Sequence, residues 1–311
     1  MDLERFKGKY EVKQVKENLN HVNQNPLVSV CVQTYNHVDY IKQCLDGILF
    51  QKTNFEFEIL LGEDDSIDGT RELCEDYAKC YPDKIRLFLH HRENNIKIRG
   101  QPTGRFNFLY NLYSAKGKYI ALCEGDDYWT DPLKLQKQVD FLEENEDFVG
   151  VFHNTACIDE RQLNPKLEPW RTYDRDIFTA RDTIRQLSLF HTSSYCFRNL
   201  DFNFSLIVNP KISSGDMMLL GLISKYGKLK LLDKIMSVYR KNDGGVTSSE
   251  SLIKYHANRI TLAKTLNHYF ENQFQQRADQ VIKFHKEQLF KLKFPYGFKL
   301  WRKIKTKLFN S

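Results

Sequence analysis

Tyr119-Ile120-Ala121-Leu122-Cys123-Glu124-Gly125-Asp126-Asp127-Tyr128-Trp129-Thr130-Asp131-Pro132 is the stretch on which the fold turns. An apolar run suited to a buried strand ends abruptly in four acidic residues and a tryptophan. Unpaired carboxylates crowded together away from water are costly, so such a cluster calls for something positive beside it. A hard divalent cation with oxygen ligands is the simplest candidate. In open α/β sheets, ligands bind just beyond the carboxyl ends of the strands, which is where this cluster lies. The stretch therefore reads as an active-site loop.

Working outward from it, the upstream sequence alternates strands with helices. Leu27 to Val32 reads as a buried strand, followed by Gln33-Thr34-Tyr35-Asn36 and a helix with Val38, Ile41, Leu45, Ile48 and Leu49 on its apolar face. A second strand, Phe57 to Leu61, enters the acidic loop Glu63-Asp64-Asp65-Ser66-Ile67-Asp68-Gly69-Thr70, whose last residues begin the next helix. A third strand spans Ile85 to His90, a helix covers Phe106 to Ser114, and Tyr119 to Cys123 is the fourth strand. Such β-α-β alternation predicts an α/β fold with a mostly parallel sheet flanked by helices, and it puts both acidic loops on one edge of that sheet.

Downstream, Asp131 reads as the N-cap of a helix carrying Leu135, Val139 and Leu142, and a strand is expected near Phe148 to Phe152. Residues 159–185 are polar and irregular and suit a mobile substrate loop. Ser214-Gly215-Asp216 precedes an apolar helix that Asp216 can cap, and Lys228 to Leu232 and Ile235 to Tyr239 read as two short strands. Before the first strand, Val12, Val15, Leu19 and Val22 recur at helical spacing. The expected organisation is a helical extension over 1–25, a main α/β domain over 26–250 with halves at 26–130 and 131–250, and a helical basic tail over 251–311.

Composition narrows the class. With 311 residues, 41% hydrophobic and 28% charged, the chain can bury a large core. No apolar stretch approaches the roughly 20 residues that cross a bilayer, and Met1 to Lys7 lacks the apolar core of a signal peptide, so a cytoplasmic chain is expected. Seven scattered cysteines without zinc-ligand spacing read as free thiols. The net charge of +6 comes from the end of the chain, where Lys291 to Lys307 holds seven basic residues and no acid; removing those seven from 46 leaves 39 against 40 acidic. Nucleic-acid binding by the main body is thus not expected. Phe298, Trp301, Ile304 and Leu308 share a helical face among those lysines, which suits either an anionic membrane surface or docking on the domain.

Taken in order, Val28-Ser29-Val30-Cys31-Val32-Gln33-Thr34-Tyr35-Asn36, Glu63 to Thr70, and Lys116-Gly117-Lys118-Tyr119-Ile120-Ala121 followed by Glu124-Gly125-Asp126-Asp127 resemble the family 2 inverting glycosyltransferases of GT-A fold, over about residues 26–245. The resemblance implies that Asp126 coordinates Mg²⁺ or Mn²⁺ on a donor diphosphate, with Asp127 in support and Glu124 nearer the ribose. It implies that Glu63 and Asp64 meet the nucleoside, that Thr34, Tyr35 and Asn36 surround its base, and that Asp216 is the catalytic base. His191 and Trp129 fall to the acceptor side, and Arg240 or Lys241 would offer charge to the diphosphate from a loop containing Gly244 and Gly245. Glu63 and Glu124 stand where the family more often has Asp, and Asn242 where some relatives have a metal-binding His.

The resemblance further implies sugar transfer from a nucleotide-diphosphate donor, with a UDP-sugar expected, to a glycan or lipid-linked acceptor in bacterial surface polysaccharide biosynthesis. The rival readings are a sugar-phosphate nucleotidyltransferase and a non-catalytic nucleotide-sugar-binding protein at a membrane. Lack of a glycine-rich loop after the first strand weighs against the former, and against dinucleotide or phosphate-loop folds.

Overall fold

The computed structural model describes residues 2–98, 100–242 and 251–295. The Gly244–Gly245 loop and the aromatic basic face at Phe298 to Leu308 lie outside them. The main strands are β1 (Lys16–Glu17), β2 (Val28–Thr34), β3 (Phe57–Glu63), β4 (Ile85–Leu89), β5 (Tyr119–Glu124), β6 (Tyr128–Trp129), β7 (Phe148–Asp159), β8 (Ile177–Phe178), β9 (Cys196–Arg198) and β10 (Lys228–Lys241). With a short strand at Glu168–Pro169 they form one 11-stranded sheet in the order β1-β4-β3-β2-β5-β9-β7-β10-β8. β6 pairs with β10 and the Glu168–Pro169 strand with β7. β4, β3, β2 and β5 run parallel, β9 is antiparallel between β5 and β7, and β7 is parallel to β10.

Alternate residues of the central strands feed two cores. Val28, Val30, Val32, Ile59 and Leu61 face α2 (Ile41–Leu49), α3 (Thr70–Cys80) and α5 (Lys134–Glu144). Cys31, Leu60, Ile120 and Leu122 face the other side. There they meet α1 (Leu3–Tyr10), α4 (Arg105–Ser114), α6 (Gly215–Ser224), α7 (Leu252–Tyr269) and α8 (Gln275–Lys293). Burial on both faces is why these strands read as continuous apolar runs. Among the described residues no helix is long and apolar enough to cross a membrane.

Three expectations change. The leading segment is helical only over Leu3–Tyr10; Val12, Val15, Leu19 and Val22 lie in extended chain. Asn94 accepts the Val12 and Lys13 N–H groups at 2.8 and 2.7 Å, and β1 then covers the open edge of β4. Only Val15 and Val22 are buried, so the apparent helical spacing was an accident of extended geometry. Secondly, the two short strands after residue 228 are one strand, because a register shift between Leu232 and Ile235 absorbs Asp233 and Lys234 without ending the ladder. Thirdly, Asp131 does not sit at the helix N-cap, which is Leu133. It closes the turn before α5 by accepting the Leu133 N–H at 2.8 Å, and it pairs with Lys137.

Candidate functional site

The register of the parallel strands builds the site. Thr34 at the end of β2 is level with Glu63, and Gln33 with Glu124, so the three following loops emerge side by side. α4 pins this edge from below: Asn107 donates to the Gly62 carbonyl at 2.8 Å and Asn111 to the Val32 carbonyl at 2.9 Å. Gly125 has a steric reason. A Cβ there would meet Thr34 Oγ1 at 2.7 Å and His37 Nδ1 at 2.9 Å, so only glycine lets the acidic turn approach β2.

In the first half of the cleft, Asp64 is buried and takes a charged hydrogen bond from Arg92 Nη1 at 2.6 Å, while its Oδ1 has no hydrogen-bond partner. Burial, only partly offset by Arg92 and by the nearby Asn95 side chain, raises its pKa to about 6. The same guanidinium lies 3.8 Å from the ring centroid of the partly exposed Tyr35. Tyr35, Arg92 and Asp64 thus form a continuous flat and polar wall. Arg92 went unnoticed in the sequence, where only its position directly after the third strand marks it.

Glu63 behaves differently from its neighbour. It is fully buried and accepts from Arg71 Nε and from the Ser66 and Asp65 N–H groups at 2.7 and 3.2 Å. It braces the loop, and the nucleoside contact expected of it has no free oxygen facing outward. Asn36 also stitches loops together. It occupies a left-handed conformation (φ 52°), donates its N–H to Ser66 Oγ at 2.9 Å and accepts the Ile67 N–H on its side-chain oxygen at 3.1 Å. Thr34 Oγ1 lies 3.2 Å from His37 Nδ1, a histidine that the charge of Asp126 reaches.

At the centre, Glu124, Asp126 and Asp127 bring ligand oxygens within 4.8 Å of one another. Glu124 is solvent-accessible yet sits low in the cleft; loss of solvation, then the charges of Asp126 and Asp216, raise its pKa to about 8. Burial, then the charges of Asp126 and Glu124, push Asp127 well above the carboxylate range. Three oxygen donors that repel one another fit a hard cation, which would relieve that repulsion. Asp127 is partly engaged already, accepting the Arg240 N–H at 3.1 Å. Asn242 Nδ2 lies 3.4 Å from Asp126 Oδ2, so it orients that carboxylate.

Arg240 does not reach outward. Its buried guanidinium bonds the Asp126 carbonyl at 3.0 Å, Glu160 at 3.1 Å and Gln43, and stacks 4.3 Å from the Tyr128 centroid. It locks the acidic turn to β10. Trp129 is likewise turned away from the cleft: its buried indole donates to the Ser193 carbonyl at 2.9 Å, with Lys134 over its ring at 3.9 Å. His191 lies closer in, stacked on Tyr239 at 4.2 Å and 3.7 Å from Asp127 Oδ2. Burial lowers its pKa to about 3, so this contact joins a neutral imidazole and is no ion pair.

Asp216 stands in the first turn of α6, one residue inside it, with Ser214 at the cap position. Its charge is felt by Glu124 and by Arg105. Buried Arg105 of α4 donates to the Ile207 and Ile212 carbonyls and so ties the segment before α6 to the same helix that pins β2 and β3. Nothing in the sequence near Arg105 announces that link.

Comparison with known proteins agrees with this architecture. The chain is 32% identical to the uncharacterized protein Rv1520 of Mycobacterium tuberculosis, over 71% of this chain and 61% of that protein. The chain thus spans about three fifths of that relative's length. The S. aureus TarS 1–349 structure in complex with UDP-GlcNAc superposes with a TM-score of 0.57 at 18% identity, covering 88% of this chain and 75% of TarS 1–349. The mannosyltransferase PcManGT from Pyrobaculum calidifontis, in complex with GDP-Man and Mn²⁺, gives 0.55 at 15% identity, covering 98% and 86%. At these identities the structures speak for the fold, which is GT-A. The family model for Glycosyl transferase family 2 matches residues 29–201 of the 311, and the protein belongs to that family.

Proposed function

We propose that the protein is an inverting, metal-dependent glycosyltransferase that moves a sugar from a nucleotide-diphosphate donor, a UDP-sugar in our reading, to a glycan or lipid-linked acceptor in bacterial surface polysaccharide biosynthesis. The observation that carries this is the convergence of Glu124, Asp126 and Asp127 at the end of β5, with Asp216 near enough to raise the pKa of Glu124. Mg²⁺ or Mn²⁺ held by Asp126, with Asp127 in support, would offset the charge that develops on the leaving diphosphate. Asp64 and Tyr35 hold the nucleoside, with Arg92 keeping Asp64 oriented, and Glu124 faces the ribose. Asp216 removes the proton of the acceptor hydroxyl as its oxygen attacks the anomeric carbon. The bond from that carbon to the diphosphate oxygen breaks on the opposite face, and the electron pair leaves with the diphosphate. The basic C-terminal tail would keep the enzyme at an anionic membrane surface where a lipid-linked acceptor is presented.

Thermal unfolding with UDP-GlcNAc and with GDP-mannose, each with and without Mn²⁺, tests the donor half. A Mn²⁺-dependent rise is expected with at least one, and it should vanish in Asp126→Ala. Release of nucleoside diphosphate tests the chemistry: Asp216→Asn should bind donor as the native protein does and turn over about 100-fold or more slowly. Full turnover of Asp126→Ala, or in excess chelator, removes the metal from the mechanism, and unchanged turnover of Asp216→Asn removes the base.

A further inference from the structure

Away from the carboxylates, the chain gathers positive charge with little to answer it. Arg171 and Arg185 come from the irregular segment after β7, Arg259 from α7 and Arg277 from α8. Arg277 Nε donates to the Ile184 carbonyl at 2.9 Å, which fixes the adjacent Arg185 against α8. Arg171 lies over Trp170 at 4.5 Å, and Arg259 over Tyr255 at 4.9 Å. Beside them, His256 and His285 face one another with Nδ1 atoms 2.8 Å apart, and the Gln186 carbonyl approaches His285.

Several of these groups are buried without a partner: Arg171 Nε, Arg259 Nη1 and Nε2 of the fully buried His285. Asp182, the carboxylate whose charge reaches Arg185, is already engaged by Arg175 and by the Thr179 N–H and hydroxyl. Burial, together with repulsion from Arg171 and Arg277, lowers the pKa of Arg185. Arg171 and Arg277 each repel Arg185, and Tyr255, over whose ring Arg259 lies, also reaches Arg171. Half-buried guanidinium groups so gathered are costly unless an anion joins them, and their planar forks match the oxygens of a phosphate.

The location assigns the anion. Trp170 meets His191 edge-on at 5.8 Å, and His191 in turn borders Asp127. The arginines therefore stand behind the Trp170–His191 pair, apart from the carboxylates that would hold a donor diphosphate. We propose that Arg171, Arg185 and Arg259 form an anion site for a phosphate group carried by the acceptor, with Arg277 holding Arg185 in place. The identity of the bound partner as acceptor rests on the glycosyltransferase reading; the anion site itself does not.

Thermal unfolding of the full chain in EDTA, with inorganic phosphate or pyrophosphate against chloride at equal ionic strength, tests it. Phosphate should raise the midpoint by about 2–4 °C more than chloride, and the rise should survive Asp126→Ala. Arg185→Gln should lose it while keeping the native response to UDP with Mn²⁺, and Arg185→Lys should retain part. Arg171→Gln, on the same segment, and Arg259→Gln, on α7, provide the same comparison. A phosphate response equal to that of chloride, or unchanged in all three glutamine variants, overturns the proposal. Loss of UDP binding with the phosphate response intact would instead remove the donor reading and leave the anion site standing. Geranyl diphosphate acting at lower concentration than pyrophosphate assigns the phosphate to a lipid-linked acceptor; equal potency assigns it to the glycan itself.

Discussion

Asp64 shows how one residue can favour binding at the expense of folding. Folded, it holds its proton up to about pH 6, whereas an unfolded aspartate loses it near about 3.9. Between those values the native state binds more protons, so stability falls as pH rises through the window and stays lower above it. Asp64→Asn, nearly isosteric, should therefore raise stability at pH 7 by up to about 3 kcal/mol, a gap that closes by about pH 4. Denaturant melts of both proteins across that range measure it. The same variant should weaken UDP binding, since an amide cannot replace an ionised acceptor. No gain at pH 7 would mean that the salt bridge to Arg92, whose side chain is 32% exposed, already compensates the burial of Asp64.

Between elements, side chains from one fasten the backbone of another. Gly62 in β3 exists because Asn107 of α4 needs its space: a Cβ would lie 1.8 Å from Asn107 Oδ1. Gly62→Ala should cost about 1–3 kcal/mol of stability, read as a lower denaturation midpoint with an unchanged m value. The Arg240 lock joins β10 to the turn after β5. Arg240→Met should fold, because Glu160 is partly exposed and can be rehydrated, but Mn²⁺ bound with UDP should weaken about 10-fold as the turn loosens. Isothermal titration of Mn²⁺ in the presence of UDP decides this, and undiminished affinity would make Arg240 a brace for the core alone.

Across the whole molecule, charge is divided among regions with separate tasks. Carboxylates converge at the carboxyl edge of the sheet, four arginines come from the irregular segment and the C-terminal helices, and an acid-free basic run of seven residues lies in the tail. Removing residues 296–311 should abolish co-sedimentation with phosphatidylglycerol vesicles and leave turnover of a soluble acceptor intact. Binding that persists without those residues would move the membrane contact elsewhere. Much of this plan was legible beforehand. Strand and helix alternation, and acidic loops following strands, depend on patterns within a few residues, and a parallel sheet then places those loops on one edge. The leading segment differs because extended chain there mimics helical spacing, and only the Asn94 side chain and the β4 edge show why it is extended.

The residue sequence alone thus determined the α/β class and the edge where the acidic loops lie, and it offered Glu63, Asp64, Glu124, Asp126, Asp127 and Asp216 as candidate carboxylates. Tertiary structure decided which neighbours of those residues remain available. Glu63 is bound by Arg71, Asp127 by the backbone of Arg240, Trp129 by Ser193, and Arg240 by Gln43, 197 residues away in the chain. It also brought together Arg171, Arg185, Arg259 and Arg277, which no local pattern connects. The physical reason is common to all of them. A side chain's type is local, but its charge and hydrogen-bonding capacity are engaged or left free by partners that only long-range packing supplies.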